Sequence, residues 1–315
     1  MPLDPGVLAA APSRYPSAGS LEQRLADEHG VSPERVLVTA GADEAIDRLC
    51  RVCLTKGTHA IVATPTFEMI PRYIAMAGAD TLGIPWGHGE PFPTRSFLDA
   101  VTPATAMAAL VTPNNPTGVS IDRATVQSIA SSVDVPLLLD LAYVEFEDDD
   151  RTDTALETPG VVATRTFSKA WGLASLRVGY AIGDAGLIER MRSAGGPFSV
   201  AGPSIAAVGS ALDAKRAPLH ERTAFIKQTR LTLEARLASF GLRVTRSAAN
   251  FVFAWGTPAA RLASFLATRG IVVRTWPDRD GLADAVRITV PDTGASAELL
   301  FAAIDAAARE GIMPA

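Results

Sequence analysis

Four short stretches of this chain put chemically capable residues at the ends of apolar runs. The first is T-F-S-K-A-W-G-L-A-S-L-R-V-G-Y, residues 166–180. Thr166, Ser168 and Lys169 stand just past a run of strand character, where α/β sheets hold their ligands. Arg177 follows, and hydroxyls with an arginine make an anchor for a phosphate dianion. The plain alternative for Lys169 is a surface lysine. The second stretch, V-P-L-L-L-D-L-A-Y, ends an apolar run in Asp140, with the Tyr143 phenol three residues on. A carboxylate buried there needs a cation or a donor, since an unpaired buried charge is costly. A protonated ring nitrogen would satisfy it, and the alternative is a helix N-cap. The third, V-T-P-N-N-P-T-G, offers the Asn115 amide in a turn. The fourth, T-A-G-A-D-E-A, opens a helix whose backbone N–H groups at Gly41, Ala42 and Asp43 suit a phosphate. It has neither a Walker lysine nor a complete G-x-G-x-x-G.

The elements that must position these residues are legible as a pattern. The first twenty residues are rich in Pro, Ala and Ser and read as an extended arm, followed by a short helix stopped by Gly30. Strands are expected at 36–39, 59–64, 105–112, 135–140, 161–166 and 178–182, with helices from 41 to about 54 and over 67–77. Runs 105–112 and 135–140 are apolar throughout rather than alternating, the mark of strands covered on both faces. Strands alternating with helices imply a mainly parallel sheet wrapped by helices. After about Pro203 the character changes to two long helical stretches. Strands at L-R-V-T, N-F-V-F-A-W, I-V-V-R and V-R-I-T-V follow, with helices at 258–269 and 295–309, a smaller α+β unit. The expected division is an arm at 1–24, a large unit at 25–205, and linking helices with a small unit at 206–315.

Composition removes several classes of function. A formal charge of −5 lacks the basic excess of a nucleic-acid binder. With 48% apolar and 20% charged residues the chain is globular rather than disordered, and long enough for a large core. Two cysteines, Cys50 and Cys53, exclude a disulfide-rich scaffold. Their C-R-V-C spacing invites a redox or metal reading. However, Ile46, Leu49, Cys50, Cys53 and Leu54 recur at helical spacing, which favours core thiols. The four histidines show no ligand spacing, so no metal is expected. Neither a targeting signal nor an apolar run of about 18 residues is visible, and the expectation is a cytoplasmic protein without membrane or nucleic-acid partners.

Taken in order, G-A-D-E-A, P-T-F, P-N-N-P-T-G, D-x-A-Y, S-K-A-x-G-L-A-x-L-R-V-G-Y, N-F-V-F and V-R-I-T-V resemble the fold-type-I pyridoxal-phosphate enzymes. Within them the chain is most similar to the histidinol-phosphate branch of the class I/II aminotransferases, from about Tyr15 to Ile304. The resemblance implies a seven-stranded large domain and a homodimer with shared sites. It implies that Lys169 forms a Schiff base with the aldehyde of pyridoxal 5'-phosphate and that Asp140 pairs with the pyridine nitrogen. Asn115 and Tyr143 would bond the ring's phenolic oxygen. Thr166, Ser168, Arg177 and the Ala42 and Asp43 amides would hold the phosphate, and Phe67 would stack on the ring. Tyr15 would reach the neighbouring subunit's phosphate. Arg287 would grip the substrate's acidic group, with Arg274 assisting. Core packing for Phe67, a solvated cation for Arg274 and a local turn for Tyr15 are the alternatives. The implied reaction is a ping-pong transfer of an amino group from an amine to a 2-oxo acid.

Three departures bear on the substrate. Family members begin with an extra segment carrying an Asn-Glu-Asn-Pro-like motif, and Met1 falls at or after its expected end. Leu141 stands where Glu often follows the aspartate, and Pro291 stands where Gly commonly follows the valine. Two cations at Arg287 and Arg274 suit a phosphate better than one carboxylate, which favours histidinol phosphate over an aromatic amino acid. A threonine-phosphate type of decarboxylase and a catalytically impaired homologue are the competing readings.

Overall fold

The computed structural model describes residues 14–214, 217–256 and 259–313. Residues 1–13 of the expected arm and the first residue of the helix expected at 258 lie outside them. Residues 14–18 carry no regular structure, and helix α1 runs Gly19–His29, closed by Gly30 in the left-handed region.

The large sheet has seven strands: β1 (Val36–Thr39), β2 (His59–Thr64), β3 (Asp80–Pro85), β4 (Thr105–Val111), β5 (Leu137–Asp140), β6 (Val161–Thr166) and β7 (Gly179–Gly183). Their order is β1-β7-β6-β5-β4-β2-β3, and only β7 runs against the others. A parallel sheet needs both faces covered. Helices α2 (Gly41–Cys53), α3 (Met69–Met76), α4 (Thr94–Asp99), α5 (Arg123–Ser132), α6 (Thr152–Glu157) and α7 (Ala185–Ser193) accompany it. One apolar cluster contains Ile61, Leu110, Leu139 and Ile182, and a second contains Val62, Met107, Leu138 and Ala181. Neighbours along each strand thus fall into different clusters, one on either face of the sheet. Burial explains why β4 and β5 read as unbroken apolar runs. By contrast, β3 sits at the edge with only Ile84 buried, so it left no such signature.

Helices α8 (Gly202–Asp213) and α9 (Ala217–Ser239) lead to a four-stranded sheet, ordered β10-β11-β9-β8, which α10 (Ala259–Ala267) and α11 (Gly294–Arg309) accompany. Its strands are β8 (Arg243–Val244), β9 (Phe251–Trp255), β10 (Arg274–Thr275) and β11 (Ala285–Thr289). The I-V-V-R run contributes only its last residue to the ladder. It lies at the sheet's edge, and Val272 is 90% exposed. The cluster around this sheet also takes in Tyr143, Phe146 and Ala170, so the small sheet's core reaches the segments that follow β5 and β6. The C-R-V-C pair lies on α2, with Cys50 packed among Leu49, Ile46 and Leu138. Burial pushes the thiols up to about 12 and about 11, which makes them inert, as the helical spacing implied.

Candidate active site

The carboxyl ends of parallel strands share one edge of the sheet, and the loops leaving them wall a cavity of about 400 Å³. Asp140 is the last residue of β5 and Thr166 the last of β6, with Ser168 and Lys169 just beyond. Asn115 enters from the loop after β4, Tyr143 from the loop after β5, and Phe67 from the loop after β2. Ala42 and Asp43 come from the first turn of α2. Arg177 arrives from the segment before β7, and Arg274 and Arg287 from β10 and β11 of the small sheet.

Of the residues singled out in the sequence, two lie off the cavity wall. Gly41 stands behind it at φ +81°, and a Cβ there would come within 3.0 Å of the Arg177 guanidinium. Tyr15 is 82% exposed and stacks on the exposed ring of Phe198, with centroids 4.7 Å apart.

Asp140 is buried in this cavity. Thr164 Oγ1 and the Ala142 N–H donate to its Oδ1 at 3.1 and 3.2 Å. Among the described residues, Oδ2 receives no hydrogen bond. Burial pushes the carboxyl up to about 6 despite both donors. Such a group calls for a cationic N–H, as a protonated pyridine would supply. The alternation of β6 explains the Thr-Arg-Thr run that accompanies it. Thr164 and Thr166 fall on one face, while Arg165 points to the other and pairs there with Glu145 and Asp150 at 2.9 and 2.7 Å.

Lys169 Nζ lies 5.5 Å from the centre of the Tyr143 ring, which meets Phe251 edge-on. This amine shares the cavity with Asp140. At the far side, α2 begins without a side-chain cap, so its first-turn N–H groups face the site unspent by a capping residue. Arg177, held left-handed at φ 53°, extends over that helix start and bonds the Asp43 carboxylate at 3.1 Å. Helix N-terminus, guanidinium and hydroxyls together make an anion seat.

Arg287 Nη1 donates to Asn115 Oδ1, and its guanidinium lies 5.0 Å over the Phe251 ring. Its Nε is buried without a protein partner among the described residues. Burial lowers its pKa, and repulsion from Arg274 adds to that. Arg274 differs from the expectation of a cation free to assist. Its Nη2 donates to both oxygens of Glu68 at 2.8 and 2.9 Å. The sequence reading missed Glu68, together with Trp276 and Arg279, which also converge on it. It also missed Thr66, Met69 and Arg72. Thr66 lies inside the P-T-F motif and Glu68 and Met69 follow it, a proximity that could have flagged them. Trp276 and Arg279 had no such signal, since over 200 residues separate them from Glu68.

A model of the family described as aminotransferase class I and II matches residues 12–304. An aromatic amino acid aminotransferase of Corynebacterium efficiens is 34% identical over 307 residues, covering 93% of this chain and 85% of that protein. A histidinol-phosphate aminotransferase of Methanothermobacter thermautotrophicus is also 34% identical, over 88% of this chain and 77% of that one. The crystal structure of histidinol-phosphate aminotransferase from Sinorhizobium meliloti in complex with pyridoxal-5'-phosphate superposes with a TM-score of 0.88 at 26% identity. It covers 98% of this chain and 88% of that one.

Proposed function

The chain belongs to the class I and II aminotransferase family and is a pyridoxal-phosphate-dependent aminotransferase, and we propose that it transfers the amino group of an aromatic amino acid or of histidinol phosphate to a 2-oxo acid. One observation carries the assignment of roles: the buried Asp140, with one oxygen unbonded, opens into the same cavity as the Lys169 amine. The donor set fits the cofactor. Asp140 would hold the pyridine nitrogen, Lys169 the aldehyde carbon, and Asn115 and Tyr143 the phenolic oxygen. Arg177, Thr166, Ser168 and the Ala42 and Asp43 amides would hold the phosphate, Gly41 would keep room for Arg177, and Phe67 would cover the ring. When bound, the cofactor supplies an electron sink that makes the substrate's α-hydrogen acidic.

The remaining work falls to the chain's own side chains. Lys169 Nζ takes the proton from the substrate's α-carbon and later returns one. Asp140, kept ionised by a cation at Oδ2, holds the proton on the ring nitrogen. Arg287 binds the substrate's acidic group through its planar fork, and its unpartnered buried Nε supports that use.

The working form is a homodimer with shared sites, in which Tyr15 reaches the neighbouring subunit's phosphate. The exposed Tyr15–Phe198 pair supports this reading. An arm at 1–24, a large unit at 25–205 and a small unit at 206–315, in a cytoplasmic protein, complete the proposal. Among the described residues no helix is long and apolar enough to cross a membrane.

The test incubates purified protein, loaded with cofactor, with phenylalanine, tyrosine and histidinol phosphate against a panel of 2-oxo acids. Stoichiometric oxo product from at least one amine is expected, and borohydride reduction should place the cofactor adduct on Lys169. Carbon dioxide release without consumption of the 2-oxo acid, or an adduct on another residue, overturns the reading.

A further inference from the structure

The register of the small sheet puts two arginines side by side. Arg274 on β10 is the direct partner of Arg287 on β11, and both line the cavity. Like charges directly opposite on neighbouring strands repel. A pair of guanidiniums spaced this way would suit a dianion. Glu68, from the other sheet's loop, changes that. Its carboxylate takes both contacts from Arg274 Nη2, accepts from Trp276 Nε1 at 2.7 Å, and has Arg279 Nη1 at 3.7 Å. Burial opposes its charge, yet the bonds from Arg274 and Trp276 hold the carboxyl below its usual range, so it stays anionic at neutral pH.

The cluster is poorly placed to serve stability. Arg274 and Arg279 are about half exposed and Glu68 a third, and exposed ion pairs contribute little. Glu68 also gives α3 no side-chain cap. Its placement matters at the cavity mouth instead, where it takes up the charge of one of the two facing cations.

Resting on the aminotransferase reading, we propose that Glu68 is a specificity-determining residue: by occupying Arg274 it leaves Arg287 as the one guanidinium of the facing β10–β11 pair without a carboxylate partner among the described residues, and so as the member of that pair that takes the substrate's acidic group. The site then selects a carboxylate monoanion over a phosphate dianion, an amino acid over an amino phosphate. The Trp276 indole beside Glu68 gives the same cavity an apolar surface for a neutral, aromatic side chain.

The experiment compares two ligands that differ in the acidic group, 3-phenylpropionate and 2-phenylethylphosphonate, by calorimetry on the cofactor-loaded protein at pH 8 and low salt. Specificity constants for phenylalanine and histidinol phosphate are measured in parallel. Wild type should prefer the carboxylate. Glu68→Gln keeps an acceptor for Trp276 but frees the charge of Arg274. It should move the phosphonate-to-carboxylate affinity ratio about tenfold toward the phosphonate, an effect that shrinks as salt is raised. The KM ratio for histidinol phosphate over phenylalanine should fall in step. In an Arg274→Ala background the same substitution should not produce this gain. A wild-type preference for the phosphonate overturns the proposal. So does an unchanged ratio, an equal loss for both ligands, or a gain that survives without Arg274. Calorimetry does not require turnover, so a protein that binds both ligands yet transaminates no amine refutes the reaction while still deciding the role of Glu68.

Discussion

At Asp140 a carboxylate is buried against its own interest, and the consequence is measurable without any substrate. Its folded value of about 6 lies above the ordinary carboxylate value of about 3.9. Between those two pH values the folded chain binds more protons at this position than the unfolded chain. Stability from this group is therefore fully present below about pH 4 and is lost as pH rises through about 6. Cofactor-free wild type compared with Asp140→Asn should show a stability difference that declines across this window, by on the order of 2 kcal/mol. Loading the cofactor should flatten the difference, because a cation at Oδ2 favours the ionised form. Thermal melts of both proteins at intervals from pH 4 to 7 check this, and a flat difference in the cofactor-free proteins would reject it. In the loaded enzyme, Asp140→Ala should lower turnover at least about 100-fold while the fold persists. Near-wild-type turnover with cofactor bound would remove Asp140 from the mechanism.

One contact between elements decides whether the anion seat exists. Gly179 opens β7 and pairs with Thr39 at the end of β1 and with Thr166 at the end of β6. A Cβ on it would lie 2.6 Å from the Ala42 nitrogen, 2.6 Å from the Gly41 carbonyl carbon and 2.7 Å from the Arg165 oxygen. All three are backbone atoms, so no side chain can swing away. The start of α2 is thereby pressed against the sheet, which sets its first-turn N–H groups beside Thr166 and Arg177. Gly179→Ala should force the helix start outward, costing roughly 3 kcal/mol of stability and weakening cofactor retention. Melting temperature and cofactor content after dialysis read the two effects. A variant with wild-type melting and full cofactor content would show that this close approach is not what holds the seat. Gly41→Ala should be milder in contact, since only the movable Arg177 side chain is met, but φ +81° adds backbone strain.

For the molecule as a whole, the proposed dimer has a surface marker. Tyr15 and Phe198 form a stacked aromatic pair outside every apolar cluster of the described core, and Phe198 holds a left-handed φ of 58°. We expect a homodimer by light scattering at micromolar concentration. Replacing both Tyr15 and Phe198 by alanine should raise the dissociation constant at least about tenfold, the scale of losing aromatic anchors at an interface. A wild-type monomer with full activity would contradict the shared-site reading, whatever the variant does.

Much of the chemistry could be read from the chain because local rules write it there. Ligands sit at the carboxyl ends of buried strands, and buried strands are unbroken apolar runs, so Asp140, Thr166 and Lys169 announced themselves by following such runs. Helix starts without a capping side chain present free N–H groups, so G-A-D-E-A marked a seat. The edge strand β3 escaped, because it has little continuous burial to imprint a pattern, and the I-V-V-R run met the short β10 only at Arg274. What the tertiary structure alone decided is charge balance across the cavity. Arg274 and Arg287 looked like two cations free for a phosphate, because spacing along a chain carries no information about a carboxylate 206 residues away. Folding brings Glu68 from the large sheet onto Arg274 of the small one, and at 2.8 Å the carboxylate takes up that charge. Residue types and their order thus marked the fold, the cofactor and most of the side chains that meet at the cavity. How many cations remain for the substrate depends on pairwise distances that only the packed structure sets.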